Sequence, residues 1–327
     1  MFGTFSFSDS TFAESKLKNR NNLEYNIDLG VQTIDKKAVN LCASTIRAMT
    51  IGTQHDKDMA IDVQYDTVMN IDTQYGIELL GTPREVGYYN DEIAYLNPWY
   101  RWTFNNTLDD SGYGTSNTPR NGTGYGTIAY TSGGGIIPSM PWESIDLNPD
   151  DEVRISDSPN INTGTGYTFE KRSISVWAEF DSVSGTDGNG RVIWEQGGGS
   201  NWWSIYLYDS NLYTCIGESN KQKGYCSSPV SASTLYLITV TIDLSLESNQ
   251  MKLYINGSLV SETTTSAGSS LSSHSGNIAW GGPNSSPRNH LNQSITANVD
   301  ARLADGCYWY ERALTPREIS NIWSTGN

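Results

Sequence analysis

The chain has 327 residues, with 21 Lys and Arg against 36 Asp and Glu, and a formal net charge of −15. An acidic surface of this kind repels phosphate backbones, which excludes nucleic acid as a partner. No apolar run is long enough to span a bilayer as a helix, which excludes membrane insertion by that route. The length suits two domains. Richness in Gly, Ser, Thr, Asn, Tyr and Trp, with little helical periodicity, predicts an all-β fold with many turns.

The N-terminal segment alternates Phe2, Phe5, Phe7 and Phe12 with small polar residues. It lacks the basic start and continuous apolar core of a secretory signal. Residues 1–25 read as an attachment arm whose aromatics need a surface to bury against, either this chain's own sheet or another subunit.

Residues 26–82 carry a ten-residue repeat. The runs MTIGTQ, MAIDVQ and MNIDTQ begin at Met49, Met59 and Met69, with Ile51, Ile61 and Ile71 at matching places. Apolar and polar residues alternate, which is the period of a half-buried strand. The even repeat length keeps every apolar residue on one parity. Two arrangements satisfy this pattern: a stem or collar in a homo-oligomer, with a trimer favoured and the Met/Ile stripe on its axis, or a β-meander within one small domain. The pattern ends at Leu79–Pro83, and 83–96 read as a linker.

From residue 97 onward the strands sharpen. Predicted strands cover 99–114, 172–180, 191–196, 202–217 and 234–243, and 251–262 read as a hairpin turning at Asn256–Gly257. A helix is predicted over 313–323: Thr315 is the N-cap, Pro316 sits at N1 and Glu318 at N3 completes a capping box. Its Ile319, Ile322 and Trp323 share a face suited to closing over a sandwich edge.

Four segments in this order, FNNTLDDSGYG (104–114), SISVWAEF (173–180), LYINGSLV (253–260) and DGCYWYERALTPREI (305–319), resemble the laminin-G-like branch of the concanavalin A-like lectin/glucanase superfamily. The resemblance covers about 97–327 and implies a jelly-roll β-sandwich of two antiparallel sheets. It also implies calcium as a cofactor, held by the acidic Gly loop at Asp109, Asp110 and Gly112 together with Asp305. One departure from the family is Gly306, where a second acid often follows. The start FGTFSFSDSTFAE is similar to the start of several tailed-phage virion proteins. Arm, repetitive stem and lectin-like tip together match the layout of phage fibres and head decorations.

Sugar sites pair an aromatic ring with amides and charged groups, because a pyranose has an apolar face and a rim of hydroxyls. Two loops offer such sets: Asn201, Trp202 and Trp203 in GGGSNWWS, and Trp280, Asn284, Arg288, Asn289 and His290 in IAWGGPNSSPRNH. Trp142 is a third aromatic candidate. The superfamily's glucanases carry Glu-x-Asp-x-Glu on one strand face. The nearest match here is Glu143 and Asp146, whose spacing puts them on opposite faces, so the chain reads as non-enzymatic. Cys215 and Cys226 flank a hairpin and are candidates to pair. The expected protein is a virion-associated adhesion protein. It contacts other virion subunits through its arm and presents its lectin-like domain to a host-surface glycan. A secreted adhesion protein, a structural tip without ligand and a divergent polysaccharide depolymerase are the alternatives.

Overall fold

The computed structural model describes residues 89–112, 119–131, 135–157, 161, 168–274 and 276–327, and the backbone of four short strands before residue 72. The chain divides into two compact units, Met1–Gly87 and Tyr88–Asn327.

In the first unit, Val39–Leu41 pairs with Ile61–Val63, and Ala48–Ile51 pairs with Val68–Ile71. Both pairings are parallel, with Met49 opposite Met69 and Ile51 opposite Ile71. Among the described strands, alternate units therefore pair. These strands are not an antiparallel meander, because parallel partners need a crossover between them. The positions Phe2, Phe5, Phe7, Phe12 and Met59 lie outside the described residues.

The second unit is a sandwich of two eight-stranded sheets. The first sheet runs Ser258–Thr263, Met251–Ile255, Leu235–Asp243, Lys171–Phe180, Ala301–Tyr310, Ile145–Leu147 and Ala129–Tyr130, and Tyr100–Trp102 also pairs with Ala301–Tyr310. The second runs Lys221–Pro229, Asn211–Glu218, Trp202–Tyr208, Arg191–Gly197, Ile278–Trp280, Glu152–Ile155 and Gly122–Tyr125, with Ala297–Asn298 parallel to Arg191–Gly197.

Three hairpins turn on two residues that both have positive φ: Asp209–Ser210, Ser219–Asn220 and Asn256–Gly257. Such turns match the right-handed twist of their strands. The Asn-Gly signal was readable in sequence. The two others split predicted strand 202–217 and add its neighbour. The predicted strand over 99–114 shrinks to Tyr100–Trp102.

Between the sheets, Ile174, Val176, Ala178 and Phe180 of the long central strand meet Trp194, Trp203, Ile205 and Leu207 of the other sheet in one core. The opposite face of the first sheet is also covered. Trp177, Leu237, Tyr254 and Trp309 pack under two helices, Tyr89–Leu96 and Pro316–Gly326. The C-terminal helix has the expected reciprocal capping box of Thr315 and Glu318. It lies on this face rather than over an edge, with Trp323 stacked 5.3 Å from Trp177.

The helix Tyr89–Leu96 replaces the expected linker. Its Tyr89, Ile93 and Leu96 are buried, one turn apart on a single face. It stops at Asn97, whose φ of 51° makes a left-handed cap, and Pro98 cannot continue it. Backbone of Leu96 then accepts from Trp309 Nε1 at 2.9 Å and from Arg312 Nη1 at 2.6 Å. Residues 89–96 are therefore part of the sandwich unit.

Candidate functional site

Two of the acidic positions expected to hold calcium, Asp110 and Asp305, are engaged by donors of the protein itself. Asp110 Oδ1 accepts from the backbone N–H groups of Arg101 at 3.0 Å and Gly112 at 2.8 Å, and Oδ2 accepts from Arg120 N–H at 2.9 Å. Its carboxylate is spent on holding the loop. Asp305 sits at a β-bulge with φ 48°, where two residues oppose one on the neighbouring strand. The bulge aims its side chain at Arg101, Nε to Oδ1 at 2.7 Å, and Tyr89 OH donates to Oδ2 at 2.6 Å. Burial lowers the pKa of Arg101, but the Asp305 carboxylate beside it more than reverses this and leaves it raised. Burial, then the Asp305 charge, pushes the Tyr89 phenol well up. Asp109 is exposed and separate from this pair. Among the described residues, no three His, Cys, Asp or Glu side chains are grouped to hold a metal ion. The missing second acid also has a reason: a Cβ at Gly306 would meet the Trp280 ring at 2.6 Å.

Most of the expected sugar-binding set is structural. Trp202, Trp203 and Trp280 are fully buried. Trp203 donates to Thr214 Oγ1 at 3.1 Å and meets Trp194 edge-on. Trp280 packs edge-on to Trp102 and Phe104. Trp202 lies against Gly217, where a Cβ would reach its ring at 2.1 Å. Strand alternation thus buries both tryptophans of the pair, one on each face. Asn201 donates to Ser273 O at 2.7 Å and accepts from Ser219 N–H. Asn284 donates to Ser285 Oγ at 3.1 Å. Trp142 is half-buried with the Arg101 guanidinium 5.1 Å from its ring.

Asn289 and Arg288 do matter, but as builders. Asn289 is fully buried. Its Oδ1 accepts from Leu291 and Gln293 N–H at 2.9 Å each, and its Nδ2 donates to Asn189 O. Arg288 Nε donates to Gly199 O at 3.1 Å and Nη1 to Asn292 O at 3.0 Å. Together they fix the loop 287–293 over the outer face of the second sheet. That loop presents His290.

On that outer face, four tyrosines and His290 form a continuous aromatic platform. Tyr206 and Tyr208 alternate on one strand, Tyr213 stands opposite Tyr206, and Tyr225 stands on the next strand opposite Cys215. His290 stacks on Tyr213 at 4.1 Å with the rings 3° apart. Tyr206 lies parallel to Tyr213 at 5.4 Å, Tyr208 meets His290 edge-on at 5.3 Å, and Tyr225 lies 5.4 Å from His290. The buried Tyr206 hydroxyl accepts from the His290 backbone N–H at 2.7 Å and bonds Nδ1 at 2.9 Å. Which of the two atoms donates in that second bond is set by the tautomer of the imidazole. Burial holds the His290 pKa below its ordinary value and pushes the Tyr206 phenol well up.

Tyr225 is 44% exposed and Leu291, beside His290 on the loop, is 54% exposed. Among the described residues, the hydroxyls of Tyr208, Tyr213 and Tyr225 take part in no hydrogen bond. The platform therefore offers ring faces with unengaged polar tips. Its floor is Val192, Cys215 and Ile295. Cys215 faces this side and Cys226 faces the central core, so adjacent strands carry them to opposite faces; both are free thiols, not a pair.

The sequence reading offered His290 as a loop residue but missed the tyrosines of this platform, because it looked for tryptophans in glycine-rich loops. The signal was present in YLYDSNLY (206–213): a two-residue turn at Asp209–Ser210 places Tyr206 against Tyr213 by register alone.

A family model of the laminin G type, described as the concanavalin A-like lectin/glucanases superfamily, matches residues 147–320. The chain belongs to that superfamily. No curated protein matches the sequence. Among solved structures, the fold is similar to the botulinum neurotoxin serotype C1 binding domain, at TM-score 0.50 and 17% identity over 70% of this chain and 51% of that one. The serotype D/C binding domain aligns at TM-score 0.51 and 18% identity, covering 73% and 53%. The serotype G binding domain aligns at TM-score 0.51 and 15% identity, covering 70% and 51%. The chain thus spans about half the length of these structures, and the likeness is one of fold.

In this lectin-like sandwich, Glu143 precedes the strand Ile145–Leu147 on which Asp146 lies half-buried, opposite Arg302. They form no carboxylate pair on one strand face. Among the described residues no helix is long and apolar enough to cross a membrane.

Proposed function

We propose that this is a non-enzymatic adhesion protein whose lectin-like sandwich binds carbohydrate on the Tyr208–Tyr213–Tyr225–His290 platform. The observation that carries this reading is the placement of those rings. They are partly open to solvent, outside the central core, and stacked in register by a loop that Asn289 and Arg288 hold in place. Ring faces suit the apolar face of a pyranose, and the Tyr hydroxyls and the His290 ring nitrogen Nε2 suit its hydroxyl rim. The overall charge of −15 favours a neutral sugar over a polyanionic one.

The N-terminal part, in this reading, attaches the protein to a virion and joins copies into a homo-oligomer, a trimer being favoured. The aromatic arm, the ten-residue repeat and the lectin-like end support this layout. The sandwich would then face a host-surface glycan from the particle's exterior.

A glycan array probed with the full-length protein tests the binding. The expected result is recognition of neutral glycans by the wild type and loss of about tenfold or more in Tyr213→Ala and Tyr225→Ala, as for other aromatic contact residues. Binding unchanged in both variants would place the ligand elsewhere. No binding to any glycan would leave a structural tip. Shortened chains after incubation with host polysaccharide would identify a depolymerase instead.

A further inference from the structure

Arg172 is the second residue of the long central strand and faces inward, on the same side as Ile174 and Val176. It is completely buried. Among the described residues no carboxylate pairs with it; the ion pairs of the fold involve other cations. Three rings surround it: Tyr310 at 4.0 Å, Phe169 at 4.6 Å and Tyr308 at 6.0 Å from the guanidinium carbon. Rings of this kind satisfy the faces of a guanidinium. They leave its in-plane N–H edge unanswered. Nη1 donates to Lys171 O at 3.0 Å, and the guanidinium, by its charge and by hydrogen bonding, favours the ionised Tyr308 and Tyr310 phenols, yet Nε and Nη2 meet no acceptor in good hydrogen-bond geometry.

Nε and Nη2 form the side-on edge that binds a carboxylate with two parallel hydrogen bonds. This chain already shows that geometry once, where Arg101 donates through Nε and Nη2 to the two oxygens of Asp305. Among the described residues, Arg172 presents the same fork with no carboxylate in it. A buried charge left this way is costly, and each buried unpaired group calls for an explanation. Two further nitrogens nearby share the deficit. His274 Nδ1 is buried without a partner. Burial, and after it the Arg172 charge, pushes the His274 pKa down to about 4. Trp194 Nε1 is also unpartnered, and its ring lies 6.4 Å from that of Tyr308. The Tyr308 hydroxyl is spoken for by Gln196 Oε1 at 3.2 Å.

We infer that the end of the sandwich around Arg172 is a second ligand site, distinct from the tyrosine platform, that takes a carboxylate group on the Nε/Nη2 fork. The carboxylate neutralises the guanidinium and accepts both unanswered N–H groups. Its source is either a free small carboxylate or the acid group of a uronic sugar, and the chemistry at Arg172 is the same for both. The site stands on residues that the platform does not use, so either can fail without the other.

The test uses the full-length protein with acetate, glucuronate, glucose and chloride at matched ionic strength and pH 7, each equilibrated overnight because Arg172 is closed to bulk water. Expected is a saturable rise in Tm with acetate and glucuronate over chloride. Arg172→Lys keeps the charge but loses the fork, and should weaken acetate by about tenfold or more. A stronger response to glucuronate than to acetate assigns the site to an acidic sugar; an equal response assigns it to small carboxylates. An isotope-filtered NOE from the acetate methyl group to the rings of Phe169, Tyr308 or Tyr310 locates the ligand even if Arg172→Lys does not fold. The inference is overturned by identical acetate and chloride curves, by undiminished binding in Arg172→Lys, by a glucose response equal to that of glucuronate, or by an acetate methyl group that meets other residues only.

Discussion

Arg101 holds Asp305 by a two-pronged ion pair, 2.7 Å from Nε to Oδ1 and 3.1 Å from Nη2 to Oδ2, with both side chains buried. The pair joins the short strand Tyr100–Trp102 to the bulge in Ala301–Tyr310, and Tyr89 ties the helix Tyr89–Leu96 to the same carboxylate. Removing one partner strands the other charge. Asp305→Asn and Arg101→Met should each cost about 3–5 kcal/mol, read as a lowered denaturant midpoint. Calcium or chelator should leave the Tm of the wild type unmoved, since the carboxylates of Asp110 and Asp305 are already engaged. A calcium-dependent rise in Tm that Asp305→Asn abolishes would restore the metal site.

The helix Tyr89–Leu96 belongs to the sandwich. A fragment starting at residue 88 should fold cooperatively. A fragment starting at residue 97 loses the burial of Tyr89, Ile93 and Leu96, worth about 5 kcal/mol or more at roughly 2 kcal/mol per side chain. It also orphans the indole N–H of Trp309. Urea unfolding of the two fragments checks this; equal midpoints would show the helix to be dispensable.

Two buried groups set opposite pH limits. Glu195 is fully buried, no side chain pairs with its carboxylate in good geometry, and burial raises its pKa well above 4.5 against a smaller opposing contribution from the Ser285 backbone. It is held neutral in the fold, so its share of stability is present below about pH 4.5 and is lost as pH rises. Glu195→Gln should therefore raise stability by roughly 2 kcal/mol at pH 8 and by less at pH 4. Thermal melts at both values decide it.

His274 works in the other direction. Its pKa is lowered from 6.5 to about 4, with burial the main cause. The neutral ring's contribution is present above about pH 6.5 and is lost as pH falls toward 4. His274→Gln should flatten the acid side of the Tm–pH curve. An unchanged acid side would assign that limb to the carboxylates.

In the first unit, Ile51 stands opposite Ile71 and Met49 opposite Met69 in parallel register. If the Met/Ile stripe lines an oligomer axis, Ile61→Asp places a charge there at a cost of several kcal/mol. The expected outcome in sedimentation is an oligomeric wild type and a dissociated variant whose sandwich still melts cooperatively. A monomeric wild type at micromolar concentration would remove the oligomer from the proposed function.

Local rules were enough for the elements whose signals are local. Thr315, Pro316 and Glu318 specified a helix start because capping is decided within one turn. Asn256–Gly257 specified a hairpin because only a few residues tolerate positive φ at both turn positions. Alternation over 172–180 marked the long strand, and the four ordered segments carried the superfamily. Tertiary packing decided which polar and aromatic groups are available. Trp202, Trp203 and Trp280 look like ligand residues in sequence, yet they fill space between and behind the sheets. Asp305 looks like a metal ligand until a bulge turns it onto Arg101, 204 positions away. The helix at Tyr89 is too short to form by propensity and exists because Trp177 and Trp309 need a cover. The platform exists because a loop around Asn289, some eighty positions beyond the tyrosine strands, lays His290 on Tyr213. Sequence spacing sets the period of each element, but which residues meet across such distances is set by the strand order of the sheets, and that order is written in no single segment.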